Sequence, residues 1–169
     1  IMNALGNTII LAVLSAAIST VLGTCGAIGA YYSKKRARNA IENLTQIPVV
    51  NAEIVMALSL TVMFVFIGSM IFRNSIFSFW TLLIGHCVLC VPFVYLNVKP
   101  KLIQMDPSMY EAALDLGATP TRALTKVVVP QIIPGIASGF LLSITLSLDD
   151  FIVTAFLRGP GLLNGEGQI

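Results

Sequence analysis

The sequence predicts an all-α, polytopic membrane protein, because it is rich in apolar residues, poor in charge and divided into stretches long enough to cross a bilayer. Of its 169 residues, 56% are hydrophobic and 11% are charged, and the mean hydropathy is +0.88. Soluble domains carry about 25% charged residues, so lipid must solvate much of this surface. The formal net charge of +2 gives no reason to expect a nucleic-acid partner.

Four apolar stretches reach the roughly 20 residues that a transmembrane helix needs. They cover residues 9–32, 49–72, 76–98 and 132–157. The first stretch lacks a preceding basic region and is longer than the apolar part of a signal peptide, so it is predicted to span the membrane. Between the third and fourth stretches, residues 99–126 have the composition of an ordinary soluble segment.

The basic residues predict the orientation of these spans. If the spans alternate in direction, eight of the ten Lys and Arg residues fall on one side, within residues 33–47 and 99–126. Arg73 and Arg158 fall on the other side. Loops that remain in the cytoplasm carry the excess of Lys and Arg. We therefore expect segments 33–47 and 99–126 to be cytoplasmic loops.

Small residues predict that the spans pack against one another as a bundle. Gly23, Gly26 and Gly29 form a stripe in the first span, and Gly135 and Gly139 form a GxxxG pair in the last. Such residues let helix backbones approach closely within a membrane. Helix packing is the expected role of each glycine.

The 99–126 segment contains signals for two short helices. Asp106-Pro107 is typical of an N-cap followed by a proline in the first turn, and Gly117 is a suitable residue to end that helix. Thr119-Pro120 repeats the start signal. The segment is either a solvated connector or a docking element, since Met109, Tyr110, Ala113 and Leu116 offer an apolar surface for a groove in a soluble partner.

The same segment resembles the EAA loop of ABC importer permeases. That family's pattern is Glu-Ala-Ala, three residues, Gly, nine residues, and then Ile-x-Leu-Pro. Here Glu111-Ala112-Ala113, Gly117 and Val127-x-Val129-Pro130 match it without a gap, with valine in place of isoleucine and leucine. In the family this loop is a coupling helix that inserts into a groove of the cytoplasmic ATPase. The resemblance therefore implies that Glu111, Ala112, Ala113 and Gly117 are ATPase-coupling residues.

Within that family, the chain is most similar to the spermidine/putrescine permeases, through residues 53–60 and 146–151. The resemblance implies a six-helix core of the type I importer permease, of which 1–161 would be a domain truncated at both ends. Residues 162–169 do not resemble the family and form a tail of uncertain origin. The implied partners are ATPase subunits that bind the ATP, a second permease subunit, an extracytoplasmic substrate-binding protein and the lipid of a bacterial inner membrane.

Asp149 and Asp150 are the charged residues inside the fourth span. An ionisable residue at the centre of a membrane helix costs about 2.5–3.5 kcal/mol on insertion scales, which makes it a functional hypothesis by default. The two side chains point about 100° apart on a helix, so one can face a substrate pathway while the other meets a neighbouring helix. A cationic polyamine suits such a pathway; the structural alternatives are an ion pair with Arg158 or a position at the wet outer end of the span.

Other function classes find less support in the sequence. The chain lacks the G-x-x-x-x-G-K-[ST] phosphate loop, so we expect a transporter subunit without its own ATPase site and without a cofactor. An intramembrane aspartyl protease needs carboxylates from two helices, and adjacent aspartates do not provide them. His86, Cys87 and Cys90 are expected to be buried packing residues. The remaining alternatives are a permease for an organophosphonate, ferric ion or sulfate, and a channel-like protein without an ATPase.

Overall fold

The computed structural model describes residues 2–50, 53–71, 79–150 and 154 of the chain. Within these residues the backbone is helical apart from short turns. Arg158 and the predicted tail at 162–169 lie outside the described residues. The elements are α1 (Met2–Tyr32), α2 (Lys35–Val50), α3 (Glu53–Ile71), α4 (Phe79–Gln104), α5 (Ser108–Asp115), α6 (Pro120–Ala123), a π-helical turn (Leu124–Val128) and α7 (Val129–Asp149).

The prediction of an all-α, polytopic membrane protein is confirmed. Among the described residues, three stretches are long and apolar enough to cross a membrane: Thr8–Tyr32, Trp80–Gln104 and Pro120–Asp149. A fourth span exists only if α2 and α3 are taken together, since Lys35–Val49 and Ile54–Gly68 qualify as a pair whose axes are bent by 107°. The predicted span at 49–72 therefore overlaps α3, which qualifies as a span only together with α2.

The prediction of a loop at 33–47 is wrong, because most of this segment belongs to the 16-residue helix α2. Its basic residues suggested a loop, but its apolar residues follow a helical period. Ile41, Leu44 and Pro48, at positions i, i+3 and i+7, line one apolar groove together with residues of α1 and α4. The helix is amphipathic, so it combines a charged face with a face that packs on the bundle.

The predicted loop at 99–126 is shorter than expected. Helix α4 continues through Pro100 to Gln104, and α6 begins at Pro120 and runs through the π-helical turn into α7. Prolines are tolerated inside membrane helices where neighbouring groups satisfy the freed carbonyls. The two helices predicted in this segment are present, but the second is the first part of the last span.

The bundle is built from α1, α4 and α7, which pack on one another around Val94. A Cβ atom on Gly23 of α1 would lie 2.7 Å from Val94 Cβ, and one on Gly139 of α7 would lie 3.2 Å from Val94 Cα. Val94 is fully buried. The glycines thus allow three backbones to meet at one residue. Gly26 and Gly29, predicted to share this role, have open space there: a Cβ added to either would meet no atom within 4 Å among the described residues.

The two basic segments lie at the same end of the bundle, which we call the basic end. The rings of Tyr32, at the end of α1, and Tyr110, in α5, have their centroids 5.1 Å apart. Nearby, Lys99 Nζ of α4 lies 2.9 Å from Glu42 Oε1 of α2, and Arg38 Nε donates to the same oxygen at 2.9 Å. Residues 33–47 and the short loop after α4 therefore share one side, as the charge distribution predicted.

Candidate functional site

The helix that carries the Glu-Ala-Ala motif, α5, has its start fixed by Asp106. The amide N–H of Ser108 donates to Asp106 Oδ1 at 2.9 Å. This hydrogen bond favours the ionised carboxylate and lowers the pKa of Asp106 from its ordinary value. Pro107 has helical dihedral angles, φ −63° and ψ −24°. The prediction that Asp106-Pro107 starts a helix is confirmed.

The end of α5 is fixed by Gly117, as the sequence predicted. Gly117 has φ +83°, a left-handed conformation that costs an L-residue about 1–2 kcal/mol. Two hydrogen bonds close the helix: Gly117 N–H donates to the Leu114 carbonyl at 2.9 Å, and Ala118 N–H donates to the Ala113 carbonyl at 3.0 Å. This pair of bonds is the Schellman motif. Its effect is to turn the chain sharply, so α5 stands apart from α6 as a separate short helix.

The outward face of α5 combines apolar and acidic side chains. Leu116 is 89% exposed and Met109 is 48% exposed. Glu111, Ala112 and Asp115 are exposed as well. Met109, Ala112 and Leu116 lie at positions i, i+3 and i+7, so they share one face of the helix. Among the described residues, this face of α5 is therefore open to solvent.

The predicted docking surface is only partly correct. Tyr110 and Ala113 are partly buried, so they face the bundle instead of solvent. Tyr110 packs against the buried cluster formed by Val98, Leu102 and neighbouring residues of α1, α4 and α7. Its aromatic ring therefore fixes which side of α5 faces inward. Glu111 and Gly117 are exposed, and Ala113 is the motif residue turned towards the bundle.

Besides the packing of Tyr110 on the buried cluster, two side-chain contacts join α5 to α1 and α7. The ring of Tyr110 lies against that of Tyr32 at the end of α1. Gln131 Nε2, in the first turn of α7, lies 3.3 Å from Met109 Sδ. These contacts connect α5 both to α1 and to the helix that follows the π-helical turn.

The acidic pair, Asp149 and Asp150, lies at the end of α7 that is far from α5, and its two members differ in solvent exposure. Asp149 is exposed, whereas Asp150 is 6% exposed. Asp150 follows the last residue of α7 and has ψ 82°, outside the helical region. The expectation that the two side chains point in different directions agrees with this placement. The alternative partner Arg158 lies outside the described residues.

Asp150 belongs to a buried polar cluster that sequence reasoning did not find. His86 Nδ1 of α4 lies 3.8 Å from Asp150 Oδ2 and 3.2 Å from Ser147 Oγ. Ser147 Oγ lies 3.1 Å from Ser15 Oγ of α1. On the other side of the imidazole, Nε2 lies 3.2 Å from Thr154 Oγ1, whose hydroxyl donates to the Asp150 carbonyl at 2.9 Å. His86 is 1% exposed, so it links three helices inside the protein.

The polar cluster borders a cavity of about 250 Å³ between α2, α4 and α7. Asp150, Ser147 and Cys90 bring polar groups to its wall, and Phe93 and Leu89 are among its apolar lining residues. The cavity therefore combines a carboxylate with a largely hydrocarbon surface. Cys90 Sγ donates to the Ser143 carbonyl at 3.6 Å, so this part of the wall is formed where α4 and α7 are in contact.

Comparison with known proteins identifies the family. Residues 19–165 match the family described as "Binding-protein-dependent transport system inner membrane component". The chain belongs to this family. Its members are inner-membrane components of transport systems, which agrees with the spanning helices found here.

Two curated relatives are named as permease proteins of transport systems. The chain is 35% identical over 160 residues to the "Spermidine/putrescine transport system permease protein PotC" of Escherichia coli, covering 95% of this chain and 58% of that protein. It is 33% identical over 161 residues to the "Putrescine transport system permease protein PotI" of the same species, covering 95% of this chain and 57% of the relative. The chain thus spans a little over half the length of these family members.

A solved structure shares the fold of this chain. The chain superimposes with a TM-score of 0.63 on one described as "Crystal structure of an amino acid ABC transporter with histidines", at 21% identity. The match covers 88% of this chain and 67% of the solved chain. At this identity the similarity concerns the fold alone, and it supports the helix packing described above.

Proposed function

We propose that this chain is a transmembrane permease subunit of an ATP-driven importer, and that its cargo is a polyamine of the spermidine and putrescine class. The observation that carries the proposal is α5, an exposed helix that bears the Glu-Ala-Ala motif and is held by its caps at the basic end of the bundle. The relatives named as spermidine/putrescine and putrescine permeases support the cargo. The same proposal covers 1–161 as the permease domain, with 162–169 outside it.

The proposed orientation places the basic end in the cytoplasm of a bacterial cell. The excess of Lys and Arg at that end is the reason, because positively charged loops remain on the cytoplasmic side. The exposed face of α5 then meets an ATPase subunit, which binds the ATP and supplies the energy. A second permease subunit and an extracytoplasmic binding protein complete the transporter, and this chain contributes no ATPase site of its own.

The proposed coupling mechanism follows the contacts of α5. ATP-driven closure of the ATPase subunits displaces α5, and the Tyr110–Tyr32 contact transmits that displacement to α1. The continuous helix from Pro120 to Asp149 transmits it to α7. Because packed helices move as rigid bodies between discrete arrangements, the bundle rocks between inward-facing and outward-facing states.

The proposed substrate pathway runs past the far end of α7, at Asp149 and Asp150. Ser15, in the cluster with Asp150, precedes Tyr32 by 17 residues, which is about 25 Å of helix at 1.5 Å per residue. The acidic pair is therefore separated from α5 by most of the length of the bundle. Cargo binding at one end and energy input at the other are then connected through the helices, without a direct contact between the two sites.

The decisive test of the coupling role compares two variants of the full-length subunit, expressed with its partner subunits in cells that are supplied with radiolabelled putrescine. Glu111→Lys reverses a charge on the outward face of α5, and we expect it to abolish uptake while the subunit remains inserted in the membrane. Asn39→Lys is the matched control, because it adds a charge to an exposed position of α2 at the same end. Normal uptake by Glu111→Lys would remove the coupling role from α5.

A further inference from the structure

The two aspartates of the proposed pathway differ in what surrounds them. Asp149 is exposed, while Asp150 is buried and forms part of the cavity wall. Resting on the proposed function, we infer that this cavity is a binding subsite for one primary ammonium group of the cargo. The Asp150 carboxylate accepts hydrogen bonds from the ammonium group, and His86 is a positioning residue that holds Asp150 in place through Thr154 and Ser147. Asp149 lies outside the subsite.

The shape and lining of the cavity fit one end of a linear aliphatic amine. Its volume of about 250 Å³ lies just below the roughly 300–1,000 Å³ of typical small-molecule pockets. The carboxylate of Asp150 and the hydroxyl of Ser147 are hydrogen-bond acceptors for an ammonium group. Leu89, Leu146 and Val49 provide the apolar surface that methylene groups prefer.

Two further features of the wall favour a cation. Phe93 brings an aromatic ring to the cavity, and the face of such a ring attracts a cation at a distance of up to about 6 Å. Helix α7 ends at Asp149, next to the cavity. The last carbonyl groups of a helix carry partial negative charge, so a cation is stabilised at this end. The ring and the helix end act in addition to the carboxylate.

The polar cluster explains how Asp150 keeps its position beyond the end of a regular helix. The hydroxyl of Thr154 donates its proton to the Asp150 carbonyl. Thr154 Oγ1 can therefore only accept a hydrogen bond from His86 Nε2, which lies 3.2 Å away. The opposite nitrogen, Nδ1, then has a lone pair, which faces the Ser147 hydroxyl at 3.2 Å, while the Asp150 carboxylate lies 3.8 Å away. The imidazole is therefore held between Ser147 and Thr154, and through Thr154 it fixes the Asp150 backbone. Its removal frees that backbone, so the carboxylate can turn away from the cavity.

The subsite is tested in proteoliposomes that contain the complete transporter, by using Cys90 in the cavity wall as a reporter. The probes are 2-aminoethyl methanethiosulfonate, which carries a primary ammonium group, and neutral methyl methanethiosulfonate. Modification of Cys90 is measured by peptide mass spectrometry and divided by that of Cys25, an exposed free cysteine on α1. The Asp150 charge is expected to give the ammonium reagent an advantage of about tenfold at Cys90.

Two variants and one competitor complete the labelling test. Asp150→Asn is expected to abolish the advantage of the ammonium reagent, whereas Asp149→Asn keeps it. Saturating putrescine is expected to slow the modification of Cys90 and leave that of Cys25 unchanged. The subsite is refuted if the advantage survives in Asp150→Asn, if putrescine gives no protection, or if neither reagent modifies Cys90 during ATP-driven cycling.

The role of His86 is tested by the transport kinetics of the same preparation. His86→Leu is expected to raise the KM for putrescine at least severalfold and to change kcat by a smaller factor. The reason is that it loosens the Asp150 carboxylate but does not alter the coupling helix. His86→Asn keeps a hydrogen-bonding group towards Ser147 and is expected to recover most of the lost KM. Equal effects of both variants on kcat alone would assign His86 a merely structural role.

The outcomes separate this inference from the proposed function. ATP-dependent putrescine uptake by the wild-type transporter tests the function without reference to Cys90. If uptake is present but the labelling of Cys90 is the same in wild type and Asp150→Asn, the inferred subsite is refuted and the proposed function stands. If uptake is absent, the proposed function fails, whatever the labelling shows.

Discussion

The close packing of α1 on α4 gives a sharp prediction for the variant Gly23→Ala. The added Cβ would lie 2.7 Å from Val94 Cβ, 2.8 Å from Val94 Cγ1 and 3.0 Å from the Val91 carbonyl oxygen. Ordinary carbon–carbon contacts are about 3.5–4.0 Å. Val94 has little room to retreat, because Gly139 of α7 packs against it as well, with an added Cβ 3.2 Å from Val94 Cα. The helices must therefore separate by roughly 1 Å at this point.

The expected cost is that of overpacking a buried site, about 1–3 kcal/mol. For a chain of this size, one kcal/mol shifts the midpoint of thermal unfolding by about 2–4 °C, so Gly23→Ala is expected to lower it by about 2–12 °C. The measurement is the fraction of a fluorescent-protein fusion of the subunit that stays monodisperse in size-exclusion chromatography after heating in detergent.

Two companion variants make this test specific to the contact. Gly26→Ala adds the same methyl group to the same helix where no atom lies within 4 Å among the described residues, and we expect no loss of stability. Val94→Ala in the Gly23→Ala background removes one of the two clashing Val94 atoms, Cγ1 at 2.8 Å, and leaves Cβ at 2.7 Å, so the double variant should lose less stability than the two single changes summed. Equal melting of Gly23→Ala and Gly26→Ala would refute the proposed packing.

Three further substitutions, each paired with a control variant, test the basic end of the bundle. Gly117→Leu places an L-residue at φ +83° and is expected to reduce uptake in a subunit that still reaches the membrane, while Gly117→Asn, which tolerates that conformation, keeps uptake. Tyr110→Ala removes the ring packed on Tyr32 and is expected to lower uptake per ATP hydrolysed at least severalfold, whereas Tyr110→Phe retains coupling; equal coupling in both would contradict the contact's role. Lys99→Met removes the bond to Glu42 and is expected to speed hydrogen–deuterium exchange in α2, with Lys99→Arg as the control; unchanged exchange would show that this ion pair does not hold α2.

Local signals in the sequence predicted much of the fold. Hydropathy and length indicated the spans of α1 and α4. The cap residues Asp106 and Gly117 predicted the two ends of α5. These features depend on neighbouring residues, so a linear reading finds them. The amphipathic helix α2 was missed because its basic residues were weighed as loop residues, while its apolar face becomes visible only at the helical period.

The polar cluster was missed for a different reason. Ser15 and Ser147 are 132 positions apart, and His86 is 61 positions from Ser147, yet the three side chains meet inside the bundle. No spacing rule for a single helix connects residues on three helices. The sequence did indicate Asp150 through its charge, but it gave no information on which aspartate is buried, since that depends on where α7 ends. The same limit applies to Tyr110 and Tyr32.

The central claim is that this subunit serves an ATP-driven polyamine importer, and the most direct measurement is solute uptake by proteoliposomes that contain the complete transporter and its binding protein. We predict accumulation of radiolabelled putrescine against its gradient only when ATP is enclosed with the ATPase subunits, and competition by spermidine. Uptake that only equilibrates the solute without ATP would indicate a channel. ATP-driven accumulation of an organophosphonate, ferric ion or sulfate in place of putrescine would contradict the assigned cargo.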